Sequence, residues 1–476
     1  MRTTLLAVAL ITTAARAQQP LLTGPSAFTD ATQQHPGLRH KITLADIAAP
    51  QPPQPATSTH LIPRPLTAWP VAPAGFDVTL YAGGDATFTL PRFILTAPNG
   101  DLFLSDTGAG MIVLLRGVAP SGKAALIQPF ATGLDHPFGI AFYPSGPNPQ
   151  WVYVATASSI LRFPYHSGDL HATAPPQTIL ATLPGGHTLK GTDRWTHDII
   201  FTRDGKYLLV SVGSGSSLHN PDTHPREFRR ATILQVTPDG KSIQVYASGL
   251  HNCVGEAIDP ISGSLWCSTT ALDRPTGPLL GLPSSLDHSP HPPVPDYITS
   301  VPWGSFFGWP WYSVGGHQDT RLSLPCANGT GPNPGLAQPL TAAQAEACSH
   351  VDLASRVHTP DVLLQPRMAS FEMTFYPDPA TAAHMPNAFP PQYNGVAFAA
   401  EHGSSSGTRR IGYEVITLPI VGGHATGEYD DFLTGFVTPD GQVWGRPVGV
   451  AVGNDGSLYV TDDGSRSVWR VAYTGK

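Results

Sequence analysis

The chain has 476 residues, only 13% of them charged, with 48 glycines, 50 prolines and a net charge of −7 at neutral pH. A mildly acidic balance without a basic stripe excludes a nucleic-acid surface, and no stretch beyond the first few residues is apolar for long enough to cross a membrane. Glycine and proline punctuating short apolar runs, with little at heptad or 3.6-residue spacing, point to an all-β chain.

Met1–Ala17 reads as a signal peptide. Arg2 supplies the positive start, Leu5–Ile11 an apolar core too short to span a bilayer, and Ala15-Arg16-Ala17 a small-x-small cleavage site. The mature chain is expected to begin near Gln18 and to reside in the periplasm or outside the cell. Residues 18–75 are rich in Pro, Thr and Ala, densest at Pro50–Pro55. They are expected to form an extended arm or linker with little regular structure.

From residue 76 to the end one pattern recurs: a Pro/Asp/Asn-Gly turn, an apolar strand, then a second apolar strand. The turns at Asn99-Gly100, Ser145-Gly146, Asp204-Gly205, Ser262-Gly263, Asn394-Gly395 and Asp455-Gly456 each lead into such a pair, which makes six copies. One sheet cannot bury both of its faces, so repeated small sheets stack around an axis. The expectation is a six-bladed β-propeller over residues 76–476, with an insertion at about 315–360 that includes a short helix at 342–347. Cys253 and Cys267 flank the fourth turn on neighbouring strands, and Cys326 and Cys348 both lie in the insertion. These two pairs are expected as disulfides, as befits an exported chain. Neither has zinc-ligand spacing.

In a propeller the strand ends converge at one mouth of the axial channel. Polar residues at corresponding places in the copies are Arg92, His136, Arg194 and His197, His251 and Asn252, Arg367, Glu401 and His402, and Arg446. Any one of them alone reads as a structural ion pair or a solvated loop end. As a set of cations facing one channel they would repel one another unless an anionic ligand neutralised them. A carboxylate- or phosphate-bearing ligand is therefore expected. The densest cluster is Asp193, Arg194, His197 and Asp198 around Trp195.

At these residues the sequence resembles the soluble pyrroloquinoline-quinone (PQQ) dependent sugar dehydrogenases of the glucose/sorbosone type. The likeness spans about residues 76–473. It is carried by Pro-Arg-Phe-Ile-Leu-Thr-Ala-Pro-Asn-Gly-Asp (91–101), Trp195–Gly213, Val294–Tyr312, Pro360–Tyr376, Ala399–Gly403 and Gly427–Val471. The resemblance implies a six-bladed propeller that binds PQQ over calcium, oxidises a carbohydrate and passes electrons to an external acceptor. By position it implies cofactor or substrate contacts at Arg92, Asn252, His402 and Arg446. Arg367 stands where the family has histidine in Gln-Pro-His, and Asp273 is the remaining candidate metal ligand in the stretch that resembles the calcium loop.

The departures fall in the site. The family places its base, a histidine, directly before Trp-Thr-Arg-Asp. Here the order is Arg194-Trp195-Thr196-His197-Asp198, and arginine is no base at neutral pH. His197 is offset by three residues, which on a strand points it away from the face of Arg194. His251 replaces an arginine in Gly-Leu-Arg-Asn-Pro-Val-Gly. The candidate catalytic residues are therefore His197, Arg194 and His251. Two alternatives stand beside the dehydrogenase: a propeller that binds a ligand or partner without redox turnover, and a calcium-dependent lactonase.

Overall fold

The computed structural model describes residues 20–47, 59–85, 87–184, 194–216, 225–271, 294–318, 354–405, 407 and 409–475. The signal segment, Asp193, Asp273, the Cys326 and Cys348 pair and the 342–347 helix all lie outside the described residues.

Six antiparallel sheets ring the axis, so the expected propeller is what forms. The first blade is built from Pro91–Thr96, Leu102–Asp106, Met111–Val118 and Ala124–Thr132. The second, third, fourth and fifth follow over residues 140–180, 199–248, 253–363 and 370–433. The second strand of each blade is buried on both faces: Leu102–Asp106, Leu208–Val212, Leu265–Thr269 and Leu458–Asp462 have no exposed residue. That is why these runs are almost continuously apolar. Outer strands face water on one side and alternate, as Ala124–Thr132 does.

The sixth blade is composite. Pro447–Val452, Leu458–Asp462 and Ser467–Tyr473 come from the end of the chain, and its outermost strand, Phe76–Gly83, comes from the beginning. The ring is closed by that pairing, from Phe76↔Tyr473 to Gly83↔Ser467.

Inner strands of blades two, four and six carry a glycine that abuts the inner strand of the next blade. A Cβ on Gly139 would lie 2.7 Å from His197 O, one on Gly255 would lie 2.5 Å from Phe371 O, and one on Gly449 would run into Arg92 O. These glycines let alternate blades approach backbone to backbone at the axis.

The arm is more ordered than its composition implies. Leu21–Thr23 pairs in parallel with Arg39–Lys41, which adds antiparallel to Glu428–Leu433, the outer strand of blade five. That sheet therefore has six strands. His40 is fully buried there, stacked on Tyr429 at 4.7 Å with Nε2 3.0 Å from Asp431 Oδ1. Tertiary pairing, not local propensity, makes these strands.

Cys253 and Cys267 form the expected disulfide across the first two strands of blade four. It closes a loop of sequence separation 14, for which chain entropy contributes about 3 kcal/mol. Paired Cys253→Ser and Cys267→Ser substitution is expected to lower the melting temperature by several degrees, which thermal unfolding measures. Among the described residues no helix is long and apolar enough to cross a membrane.

Candidate functional site

Each inner strand starts at one mouth of the channel, and each second strand ends there. The loops between them put two groups of side chains at that mouth.

The first group joins blades one, five and six. Arg92 Nη2 donates to Asp463 Oδ2 at 2.9 Å. Its guanidinium sits 5.6 Å from the Trp195 ring and 5.4 Å from the Phe371 ring. Phe371 also stacks on His402 at 4.5 Å. His402 Nε2 lies 2.9 Å from Asp463 Oδ1. Burial, reinforced by Arg446 and Arg92, pulls His402 down to about 4 against the pull of Asp463. The imidazole is therefore neutral at neutral pH and donates Nε2–H to the carboxylate. Arg446 donates from Nε to His402 O and from Nη2 to Gly403 O. Arg367, held at φ 77, packs against Gly407, where a Cβ would lie 2.8 Å from its Nη1.

The second group joins blades three and four. Arg194 Nη1 donates to Ser214 Oγ at 3.1 Å. His251 Nδ1 lies 2.8 Å from Thr270 O. A carbonyl only accepts, so Nδ1 carries the proton and Nε2 of the neutral ring keeps its lone pair. Nε2 is buried and meets no hydrogen-bond partner among the described residues. Burial first, then Arg194, holds His251 well below the ordinary histidine value. Trp309 packs at 5.9 Å from its ring. Asn252 Nδ2 donates to Thr270 Oγ1 at 3.0 Å, which leaves Oδ1 without a partner among the described residues. Gly213 makes room for it, since any Cβ there would strike that Oδ1.

Of the two histidines expected as candidate bases, the structure brings only His251 to Arg194 and Asn252. His197 is wholly buried, with Nδ1 2.9 Å from Ser211 O and its own carbonyl taken by Gly139 N of blade two. Burial pulls it down to about 4. It is packed between blades two and three. His136 sits to one side, bonded to Asp135 Oδ1 at 2.7 Å and 5.9 Å from Trp195.

Glu401, at the end of its strand, accepts from Ser370 Oγ at 2.9 Å, and burial pushes it up to about 8. Deeper along the inner strands lie Asp198, Glu256 and Glu372, all buried. Asp198 Oδ2 accepts Glu256 N at 2.6 Å, and burial drives Asp198 up to about 8. Burial and the neighbouring carboxylates raise Glu256 and Glu372 well above the ordinary range. Desolvation thus disfavours the charged form of each. Among the described residues no group of three or more His, Cys, Asp or Glu is placed to hold a metal ion.

Asp463 and Phe371 escaped the sequence reading. Asp463 had a signal: it follows the second strand of blade six as His402 follows that of blade five.

Fold and mouth together define a six-bladed propeller whose arginines, neutral histidines and open amide line one end of the axis. The chain belongs to the TrAA12-like family, whose model matches residues 70–474. It is 24% identical over 423 residues to an uncharacterized protein of Borreliella burgdorferi, covering 86% of this chain and 92% of that one. Three solved structures share the fold. The holo PQQ domain of Coprinopsis cinerea pyranose dehydrogenase has a TM-score of 0.62 at 18% identity, over 86% of this chain and 98% of that one. The Trichoderma reesei carbohydrate-active enzyme of family AA12 has 0.59 at 18%, over 86% and 99%. The PQQ-bound aldose sugar dehydrogenase of Streptomyces coelicolor has 0.53 at 17%, over 84% and 99%.

Proposed function

We propose that the protein is an exported PQQ-dependent oxidoreductase acting on a sugar or a related alcohol or aldehyde, with an external electron acceptor. The observation that carries this reading is the mouth itself. Arg92 and Arg446 gather around His402 with Arg367 against Gly407, and His251 Nε2 and Asn252 Oδ1 are buried acceptors without partners among the described residues. A buried polar atom without a partner is costly unless a ligand completes it. A planar cofactor with several carboxylates fits a wall of arginines flanked by Trp195 and Phe371.

In this reading Arg92, Arg367, Arg446, His402 and Asn252 hold the cofactor. PQQ, when bound, supplies a quinone that accepts two electrons. His251 Nε2 accepts the proton that leaves the substrate hydroxyl. Thr270 O fixes the tautomer that makes this possible, and burial, with Arg194 beside it, favours the neutral ring. Trp309 closes one side of the imidazole and excludes water there. Asp463 orders Arg92 and His402 together. Calcium accompanies PQQ in the resemblance, with Asp273 as its candidate ligand; no step here is assigned to the ion.

Titration of the mature protein with PQQ, with and without calcium, is expected to give saturable changes in the cofactor's absorbance. Dye reduction with aldoses and sugar aldehydes should follow. Arg446→Ala is expected to weaken PQQ binding by about tenfold or more, since a charge-assisted contact is worth about 1.5–3 kcal/mol. Absence of binding by the parent protein overturns the reading.

A further inference from the structure

The arm grips the site from outside. Phe28 O accepts from Arg409 Nη2 at 2.9 Å, and Asp30 Oδ2 accepts from Arg410 N at 3.0 Å. Ala31 N donates to Arg410 O at 2.7 Å. On the far side of the same loop, Thr59 N donates to Ser405 O at 2.9 Å and Thr59 Oγ1 to Ser404 O at 3.0 Å. Arg410 turns back inside the loop, donating from Nη1 to Gly407 O at 2.9 Å. The loop therefore meets the arm at both of its flanks, and a loop held only by its own turns would have no such restraint.

What the loop carries is the wall of the mouth. His402 and Gly403, just before it, offer the two carbonyls that seat Arg446. Gly407, at its tip, lies against the Arg367 guanidinium. Arg446 is thus seated by backbone next to what the arm holds, and Arg367 packs against the same loop. The arm up to residue 69 also lies outside the family match, which begins at residue 70. It is an addition to the propeller, not one of its blades.

We propose that the N-terminal arm is a built-in strap, with Asp30 and Thr59 as positioning residues that hold the 404–410 loop and, through it, Arg367 and Arg446 in their anion-binding arrangement. The proposal rests on the PQQ reading for the identity of the anion. The strap acts by preorganisation: contacts already made in the free protein need not be ordered on binding. Away from the loop the arm also pairs with blade five, where Arg39 bonds Glu428 and Asp430.

The test uses the full chain with Asp30→Ala combined with Thr59→Val, beside Arg39→Ala as a control that removes an ion pair of the arm away from the loop. Two readouts are taken: PQQ affinity by absorbance titration, and hydrogen exchange of the 404–410 amides without cofactor. The double variant is expected to bind PQQ about tenfold more weakly, as loss of hydrogen bonds of about 1 kcal/mol each implies. Its loop amides should exchange faster, while Arg39→Ala binds like the parent. Unchanged affinity and unchanged loop exchange in the double variant overturn the strap. Equal weakening in the control also overturns it, because general loosening of the arm would then explain both. If the parent binds no PQQ, the cofactor reading falls. The strap is then decided by exchange alone, and unchanged protection of 404–410 sinks it.

Discussion

Replacing His251 with asparagine is expected to lower turnover by about 10²–10⁴-fold, the usual contribution of a positioned base, while PQQ binding stays close to that of the parent. Asparagine is the informative choice because His251 sits at φ 40, a conformation that asparagine tolerates and most side chains do not. His197→Ala is expected to do the opposite. It empties a space in the packing between blades two and three and removes the bond to Ser211 O, so stability falls while turnover per folded molecule is retained. The pair of variants separates the two histidines by kcat on one side and melting temperature on the other. A normal kcat in His251→Asn would remove it as the base.

The pH profile follows from the same environment. The folded-state pKa of His251 lies well below the ordinary histidine value because of burial and Arg194. The lone pair on Nε2 is therefore available throughout the neutral range. Activity is expected to hold as the pH falls through 6.5 and to drop only at more acid values, when the buried ring takes up a proton. A kcat profile with an acid limb at an unperturbed histidine value would contradict this placement.

Gly449→Ala is expected to be among the most destabilising single substitutions in the ring. The added methyl has nowhere to go: Arg92 O, Thr461 Oγ1 at 2.8 Å and Ile94 N at 3.1 Å surround it. Two of these are backbone atoms of the neighbouring inner strand, which cannot rotate aside. Overpacking of this kind costs about 1–3 kcal/mol and sometimes more. The displaced backbone belongs to Arg92, so cofactor affinity should fall along with stability. Chemical denaturation and PQQ titration of the same preparation check both. A variant as stable as the parent would mean that the two inner strands are free to separate.

The strands that were easiest to read are the long apolar runs nearest the core of each blade. The second and third strands of every blade show as paired apolar runs behind a glycine turn, and the structure places them there, as with Leu102–Asp106 and Met111–Val118. The arm strands could not be read the same way. Leu21–Thr23 and Arg39–Lys41 are three residues each, too short to show a period, and exist because blade five offers them an edge. The mouth was legible as a set of residue types but not as contacts. Spacing could show that His197 and Arg194 point apart. It could not show that Ser211 O claims the first and that Thr270 O orients His251. Asp463 was hidden because an acidic residue beside another acidic residue looks like solvated surface, whereas it is buried against Arg92 and His402.

The composite sixth blade also sets the order of events during synthesis. Phe76–Gly83 leaves the ribosome well before its partner Ser467–Tyr473. Until then the early strand has a bare edge and the ring is a row of unsealed sheets. A topology so dependent on distant pairing folds slowly. The pairing of Phe76–Gly83 with Ser467–Tyr473 is thus the fastener that commits such a chain to its closed shape.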